Sequence, residues 1–97
     1  MEVLVAYDVA TDTGAGRRRL RRVAQACQAY GQRVQKSVFE CTLTEVQLER
    51  LMQRLLKEIA ESEDSLQIYR LAEPRERYLR VYGRDPRIDL ARGTLLL

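Results

Sequence analysis

The pattern of apolar and polar positions begins with an unbroken apolar run. Val3 to Val9 reads Val-Leu-Val-Ala-Tyr-Asp-Val, and its β-branched residues crowd a helix but suit a pleated strand. Because both faces of the run are apolar, we expect a central strand in a sheet that is covered on both sides. Asp8 places a carboxylate where this strand leaves the core, and desolvating a charge costs free energy unless it is paired. Asp8 is therefore the first candidate for a functional residue.

Two stretches with helical spacing of apolar residues follow. The first predicts a helix over about Arg17–Tyr30, after a glycine-rich segment, Ala10–Gly16, that predicts a flexible loop. The second begins at a capping box formed by Thr44 and Gln47. The apolar stripe of the first helix comprises Leu20, Val23, Ala24, Cys27 and Tyr30, and that of the second comprises Leu48, Leu51, Met52, Leu55, Leu56 and Ile59.

Three further stretches have the alternation of strands. Residues Gln32–Thr42 alternate except at Gln35-Lys36-Ser37, which predicts either a tight hairpin or a sharply bent strand. Residues Ser65–Leu71 alternate after an acidic loop, and Tyr78–Tyr82 alternate again before Gly83. The order βαββαβ predicts an α+β fold of the ferredoxin-like kind, with both helices on one face of a four-stranded antiparallel sheet and an extra C-terminal strand.

This arrangement leaves one apolar face of the sheet uncovered. We therefore predict a two-fold homodimer that packs through the uncovered faces, with the late strand added to the partner's sheet. Residues 1–83 form the predicted domain. Residues 84–97 form a tail that ends in three leucines and is a candidate docking segment.

Composition restricts the chemistry. A chain of 97 residues is the size of one domain, and no apolar run is long enough to span a membrane, so we expect a cytoplasmic protein without a membrane partner. The absence of histidine excludes Ser-His and Cys-His nucleophilic sites and histidine-rich zinc sites. Cys27 and Cys41 lie far apart in the sequence and are expected to be buried thiols.

The positive charge is uneven along the chain. The net charge of +3 is carried mainly by arginine, and four arginines fall within five positions at Arg18, Arg19, Arg21 and Arg22. The planar guanidinium suits phosphate, and cations at a helix N-terminus oppose the helix dipole, which favours a functional reason for the cluster. A solvated, merely structural surface is the alternative. Nucleic-acid binding and a solvated surface stay about equally supported by charge alone.

Three segments resemble the family of CRISPR-associated protein two. Tyr7-Asp8 closes the first strand, the run Arg19–Ala24 (Arg-Leu-Arg-Arg-Val-Ala) opens the first helix, and the run Tyr30–Cys41 (Tyr-Gly-Gln-Arg-Val-Gln-Lys-Ser-Val-Phe-Glu-Cys) follows. The resemblance covers about residues 2–83. It implies a metal-dependent endonuclease that cleaves RNA or DNA with Mg²⁺, and a role in CRISPR adaptation as the protein that bridges copies of the spacer integrase.

The resemblance also implies the residues of the site. The catalytic and metal-binding acid corresponds to Asp8, and its catalytic neighbour corresponds to Tyr7. The residues that correspond to the nucleic-acid-binding positions are Arg19, Arg21, Arg22, Arg33, Ser37 and Phe39.

One carboxylate holds Mg²⁺ poorly, because that ion takes six oxygen ligands and keeps several as water. A two-fold dimer would supply a second Asp8, and we therefore expect the site to be shared between two chains. Two alternatives stay open: a DNA-binding scaffold without catalytic activity, and a toxin-like ribonuclease of the same fold that acts alone.

Overall fold

The computed structural model describes residues 1–72, 77 and 79–83, and the fold is built around the predicted central strand. Six elements follow each other along the chain: β1 (Glu2–Asp8), α1 (Gly14–Gln28), β2 (Gly31–Gln35), β3 (Val38–Thr42), α2 (Glu45–Glu58) and β4 (Ser65–Leu71). The strands form one antiparallel sheet in the order β2-β3-β1-β4, so that β1 lies between β3 and β4. The predicted α+β fold and its βαββαβ order are confirmed.

The hydrophobic core lies on one side of the sheet. Val3, Val5 and Tyr7 of β1 are buried together with residues of β3 and both helices. These side chains alternate with Leu4 and Ala6, which are only half-buried. Helices therefore cover one face of β1, and none of the described residues provides the expected cover on the other face.

The uncovered side of the sheet, here called the open face, carries apolar side chains of β1 and its neighbours together with Glu40 and Gln67, which lie opposite Leu4 and Ala6. Leu4 lies opposite Tyr69 of β4, and Ala6 lies opposite Val38 of β3. Tyr69 is 49% exposed, although it is a large side chain in the middle of a strand. An exposed apolar patch of this kind usually marks an interaction surface.

The segment around Lys36 and Ser37 is a hairpin, which decides between the two predicted alternatives. Strands β2 and β3 pair with each other, and a register shift between Arg33 and Gln35 bends β2. The amide of Tyr7 donates a hydrogen bond of 3.1 Å to the carbonyl oxygen of Ser37. This bond holds the hairpin turn against the end of β1, which brings the hairpin residues next to Tyr7.

Helix α1 begins at Gly14, three residues earlier than predicted. Thr13 is its N-cap and accepts a hydrogen bond of 3.0 Å from the amide of Gly16. A Cβ atom on Gly16 would lie 1.9 Å from the carbonyl oxygen of Ala10. The glycine therefore allows the first turn to pack directly on the preceding loop, and the prediction of a flexible loop up to Gly16 is wrong.

Helix α2 has the predicted capping box, in which Thr44 accepts from the amide of Gln47 and the Gln47 side chain accepts from the amide of Thr44. Leu51 and Leu55 on its inner face are fully buried. Leu56 is 51% exposed, so its assignment to the core stripe is wrong. It lies one residue, or about 100°, beyond Leu55 around the helix and so turns away from the sheet.

The C-terminal predictions are only partly within the described chain. Residues Leu79–Tyr82 have no strand pairing in the single chain. Tyr78 and the tail 84–97 lie outside the described residues. Pairing of this segment with a partner's sheet needs a second copy, so it stays a prediction. In the part of the chain that the structure describes, no helix is long and apolar enough to cross a bilayer.

Candidate functional site

The carboxylate of Asp8 lies at the end of β1 and is exposed. The alternation that turns Val5 and Tyr7 into the core turns Asp8 towards the open face, opposite Ser65 at the start of β4. The described residues contain no group of three or more His, Cys, Asp or Glu side chains that could hold a metal ion. Among the described residues, Asp8 therefore belongs to no ready-made cluster of metal ligands.

Tyr7 is next to Asp8 but points into the protein. The residue is only 4% exposed, and its buried hydroxyl has no hydrogen-bond partner among the described residues. Burial raises the pKa of the Tyr7 phenol, and the nearby guanidinium of Arg33 partly offsets this rise. Arg33 acts on the hydroxyl by its charge and by a close side-chain contact, although no hydrogen bond of standard geometry joins the two groups. The phenol is thus a protonated, unused donor at neutral pH.

Phe39 contacts both Tyr7 and Arg33 and is fully buried. Its ring stacks with that of Tyr7 at a centroid distance of 6.3 Å, and the Arg33 guanidinium carbon lies 5.2 Å from its centroid. The prediction that Phe39 contacts nucleic acid is not supported by this position, because no ring face is open to a ligand. The ring instead holds the Arg33 side chain, by a cation–π contact, at the surface of the hairpin.

The arginines of α1 do not form one patch, because the helix directs them to different sides. Arg22 lies 3.9 Å from Glu58 of α2, with both side chains partly exposed. Arg19 contacts Asp64, with 2.8 Å between Nε and Oδ2, and also reaches Glu63 at 3.3 Å. Arg21 faces the hairpin.

Asp64 was not among the functional or structural residues predicted from the sequence. Its side chain is completely inaccessible to solvent and accepts hydrogen bonds from the amides of Ala10 and Ala60, at 3.0 and 2.8 Å. The hydrogen bond from Arg19, with those from the two amides, lowers its pKa to about 2 despite burial, and the same contact raises the pKa of Arg19. Asp64 therefore connects the loop after β1, the start of β4 and helix α1.

Arg21 and the hairpin form the walls of a cleft, here called the hairpin cleft, of about 630 Å³ beside the end of β1. Its cationic side chains are Arg17, Arg21, Arg33 and Lys36. The cleft is also lined by Tyr7, Asp8, Val9, Thr11, Leu20, Ala24, Gln25, Gln28 and Ser37. Of the predicted site residues, the cleft thus brings together Tyr7, Asp8, Arg21, Arg33 and Ser37, and it leaves out Arg19, Arg22 and Phe39.

The two thiols have no part in this chemistry. Both are buried, and burial raises the pKa of Cys27 to about 12 and that of Cys41 to about 11. A thiol with such a pKa is protonated near neutrality and is a poor nucleophile. The expectation that both thiols are buried is confirmed.

Comparison with known proteins gives consistent matches. The family model described as CRISPR associated protein Cas2 matches residues 1–78. The CRISPR-associated endoribonuclease Cas2 1 of Moorella thermoacetica is 56% identical over 92% of this chain and 93% of that protein. The CRISPR-associated endonuclease Cas2 of Halalkalibacterium halodurans is 50% identical over 93% and 94%, respectively.

A solved structure supports the same grouping. The crystal structure of Streptococcus pyogenes Cas2 at pH 6.5 superimposes with a TM-score of 0.77. The two chains are 48% identical, and the match covers 86% of this chain and all of the other. The likeness therefore extends from sequence to fold over nearly all of the described residues.

Proposed function

The chain belongs to the Cas2 family of CRISPR-associated proteins, and from this premise we propose that it is a metal-dependent endonuclease acting as a homodimer on RNA or DNA. Relatives are named both endoribonuclease and endonuclease, which supports phosphodiester cleavage without choosing between the two nucleic acids. The single observation that carries the proposal is the exposed carboxylate of Asp8 at the rim of a sheet face that leaves large apolar side chains such as Tyr69 exposed.

The open face supports the dimer. Leu4, Ala6, Val38 and Tyr69 leave apolar surface in water in the single chain, and removing such surface from water is favourable by about 25 cal/mol per Å². A two-fold axis through this face would cover it with its own copy. Because Asp8 lies on the same face at the end of β1, the axis would also bring two Asp8 carboxylates to one interface.

The donor set fits Mg²⁺. This ion is commonly held by one or two carboxylates together with water and substrate phosphate, which matches what Asp8 and its copy in a second chain would offer. When bound, the ion would lower the pKa of a coordinated water and stabilise negative charge on the phosphate. The Asp8 pair would hold the ion and fix its place relative to the nucleic acid.

The cations beside Asp8 would bind the nucleic-acid backbone. Arg21 and Arg33 are exposed and lie on opposite walls of the hairpin cleft, and Ser37 adds a hydroxyl to the lining of the same cleft. Arg22 lies outside the cleft beside Glu58, and Arg19 is already held by two carboxylates, so both contribute less than Arg21 and Arg33. Contacts of this kind ignore sequence and weaken steeply with salt.

The test is Mg²⁺-dependent cleavage of single- and double-stranded substrates by the native protein and by Asp8→Asn. We expect the variant to lose cleavage while remaining folded and dimeric, because only the charge of an exposed carboxylate is removed. Asp12→Asn is the matched control, since Asp12 is an exposed acid in the loop after β1 and lies outside the cleft. Unchanged cleavage by Asp8→Asn would refute the catalytic role.

We further propose that in the cell, in the cytoplasm, the dimer bridges copies of the CRISPR spacer integrase during adaptation. A scaffold without catalysis is the second candidate. It is favoured by one observation: the described residues of a single chain supply no multidentate metal site. The Asp8→Asn variant distinguishes the two roles. If the protein is only a scaffold, the variant still co-purifies with the integrase and still supports spacer insertion. Deletion of residues 84–97 tests the tail as the docking segment.

A further inference from the structure

The hairpin cleft has features that backbone binding does not require. Its wall on α1 is a single stripe of the helix, because Arg17, Arg21, Gln25 and Gln28 recur at intervals of three and four. Opposite this stripe lie Arg33 and Lys36 of the hairpin. Cations thus line both sides of a concave space instead of lying in a row along the path of a nucleic-acid backbone.

These cations are available for a ligand. Among the described residues, Arg17, Arg21, Arg33 and Lys36 form no ion pair, whereas Arg19 and Arg22 on the same helix do. Arg17 donates to the carbonyl oxygen of Thr11 at 3.3 Å, which uses one of its five N–H groups. The carboxylate that lines the cleft, Asp8, is outnumbered by these four positive charges, so the cleft favours an anion.

The Tyr7 hydroxyl is the second, independent sign of a ligand. Tyr7 lines the cleft, its buried hydroxyl has no hydrogen bond of standard geometry to a described residue, and an unsatisfied buried hydroxyl costs free energy. A phenol hydroxyl can donate a hydrogen bond to an acceptor such as a phosphate oxygen. A bound phosphate would supply the missing acceptor.

The remaining lining suits a planar group beside the phosphate. Val9, Leu20 and Ala24 provide apolar surface, and the amides of Gln25 and Gln28 can both donate and accept hydrogen bonds. The volume of about 630 Å³ lies within the range of small-molecule sites. A bare phosphate would leave this apolar part of the cleft in water.

We propose that the hairpin cleft binds one nucleotide, with its phosphate held by Arg21, Arg33 and the Tyr7 hydroxyl and its base against the wall of α1. The nucleotide is either a free nucleoside monophosphate or the terminal nucleotide of a bound strand, and the phosphate chemistry is the same. Binding of a strand terminus rests on the proposed function, whereas binding of a free nucleoside monophosphate does not.

The experiment is isothermal titration of the full-length dimer in EDTA at low salt with three probes: deoxyadenosine 5′-monophosphate, deoxyadenosine and inorganic phosphate. We expect the monophosphate to bind about tenfold or more tightly than either part alone, because the cations and the apolar wall then act together. Equal binding of the monophosphate and inorganic phosphate would overturn the proposal, since it would show that the base has no site.

Three variants assign the site. Tyr7→Phe should weaken monophosphate binding about tenfold, the loss of one charge-assisted hydrogen bond, and should leave the melting temperature equal or higher because an unsatisfied hydroxyl is removed. Arg21→Gln should weaken it by about fivefold to tenfold. Arg18→Gln, one turn away on an exposed position outside the cleft, removes the same charge and should change binding less than about twofold. Equal effects of Arg21→Gln and Arg18→Gln would contradict the assignment.

Oligonucleotides that carry a 5′-phosphate or a 5′-hydroxyl identify the source. Tighter binding of the phosphorylated end, with Tyr7→Phe removing the difference, assigns the site to a strand terminus. If the phosphorylated and the hydroxyl oligonucleotides bind equally and the monophosphate also binds, the site is assigned to a free nucleotide. Because no metal is present, loss of nucleotide binding by Tyr7→Phe is distinguishable from loss of cleavage by Asp8→Asn.

Discussion

The contacts of Asp64 predict a large effect on stability from one buried carboxylate. Asp64→Ala removes the acceptor from the amides of Ala10 and Ala60, which are 3.0 and 2.8 Å from its oxygens, and removes the partner of Arg19. Each amide loses a hydrogen bond to a charged group, worth about 1.5 kcal/mol. The two amides together give a loss of about 3 kcal/mol in the free energy of unfolding, or about 15 °C in melting temperature for a domain of this size.

The pH dependence of stability provides the specific signature. The pKa of Asp64 is lowered from 3.8 to about 2 in the folded protein, so the folded state binds a proton less readily than the unfolded chain. Such a group stabilises the fold fully above its unfolded pKa, and that contribution disappears as pH falls from about 4 to about 2. Asp64→Asn, which does not titrate there, should therefore differ most from the native protein near neutrality and least near pH 2.

Urea denaturation followed by circular dichroism, repeated from pH 7 down to pH 2, measures both quantities. Glu63→Gln is the matched control, because Glu63 also contacts Arg19 but is 53% exposed, and exposed pairs contribute about 0.5 kcal/mol or less. A loss below about 1 kcal/mol for Asp64→Ala would refute the reasoning. A stability difference between native protein and Asp64→Asn that stays constant down to pH 2 would also refute it.

Two further predictions test packing and reactivity. Gly16→Ala should lower the free energy of unfolding by about 2 kcal/mol or more in the same denaturation assay, because the new methyl would overlap a backbone carbonyl oxygen of the preceding loop. Gly14→Ala should be neutral or stabilising, since a Cβ there meets only flexible arginine ends at 3.6 Å, and equal effects would contradict the packing argument. Cys27 and Cys41 should resist iodoacetamide at pH 8 until the protein is unfolded, as followed by mass spectrometry; labelling of the native protein would show that one thiol is exposed or has a lower pKa.

The fold could be predicted because its signals are local. The alternation in β1 and β4, and the capping box of Thr44 and Gln47, depend on neighbouring residues only. Element order then restricts the sheet to few topologies. The position of Asp8 at a strand end follows from the same local pattern, which is why it was a candidate from the sequence.

The features that were missed depend on contacts between distant residues. Asp64 belongs to an acidic loop in the sequence, and only the pairing of Asp8 with Ser65 places it against Ala10 and Arg19. The pairing itself is the signal that could have identified Asp64, since the residue before Ser65 must lie beside the residue after Asp8. The local alternation places Phe39 and Cys41 on one face of β3, but only the packing of the distant helices shows that this face is buried.

The central claim is that two chains share one catalytic site through Asp8. It is tested most directly by refolding native protein with an equal amount of Asp8→Asn, so that subunits assort at random, and measuring the initial rate of Mg²⁺-dependent cleavage at fixed total protein. If both carboxylates are required, only native homodimers cleave, and the rate falls to about one quarter of that of the native protein. A rate of about one half would contradict the account, because it would show that each Asp8 acts in its own chain.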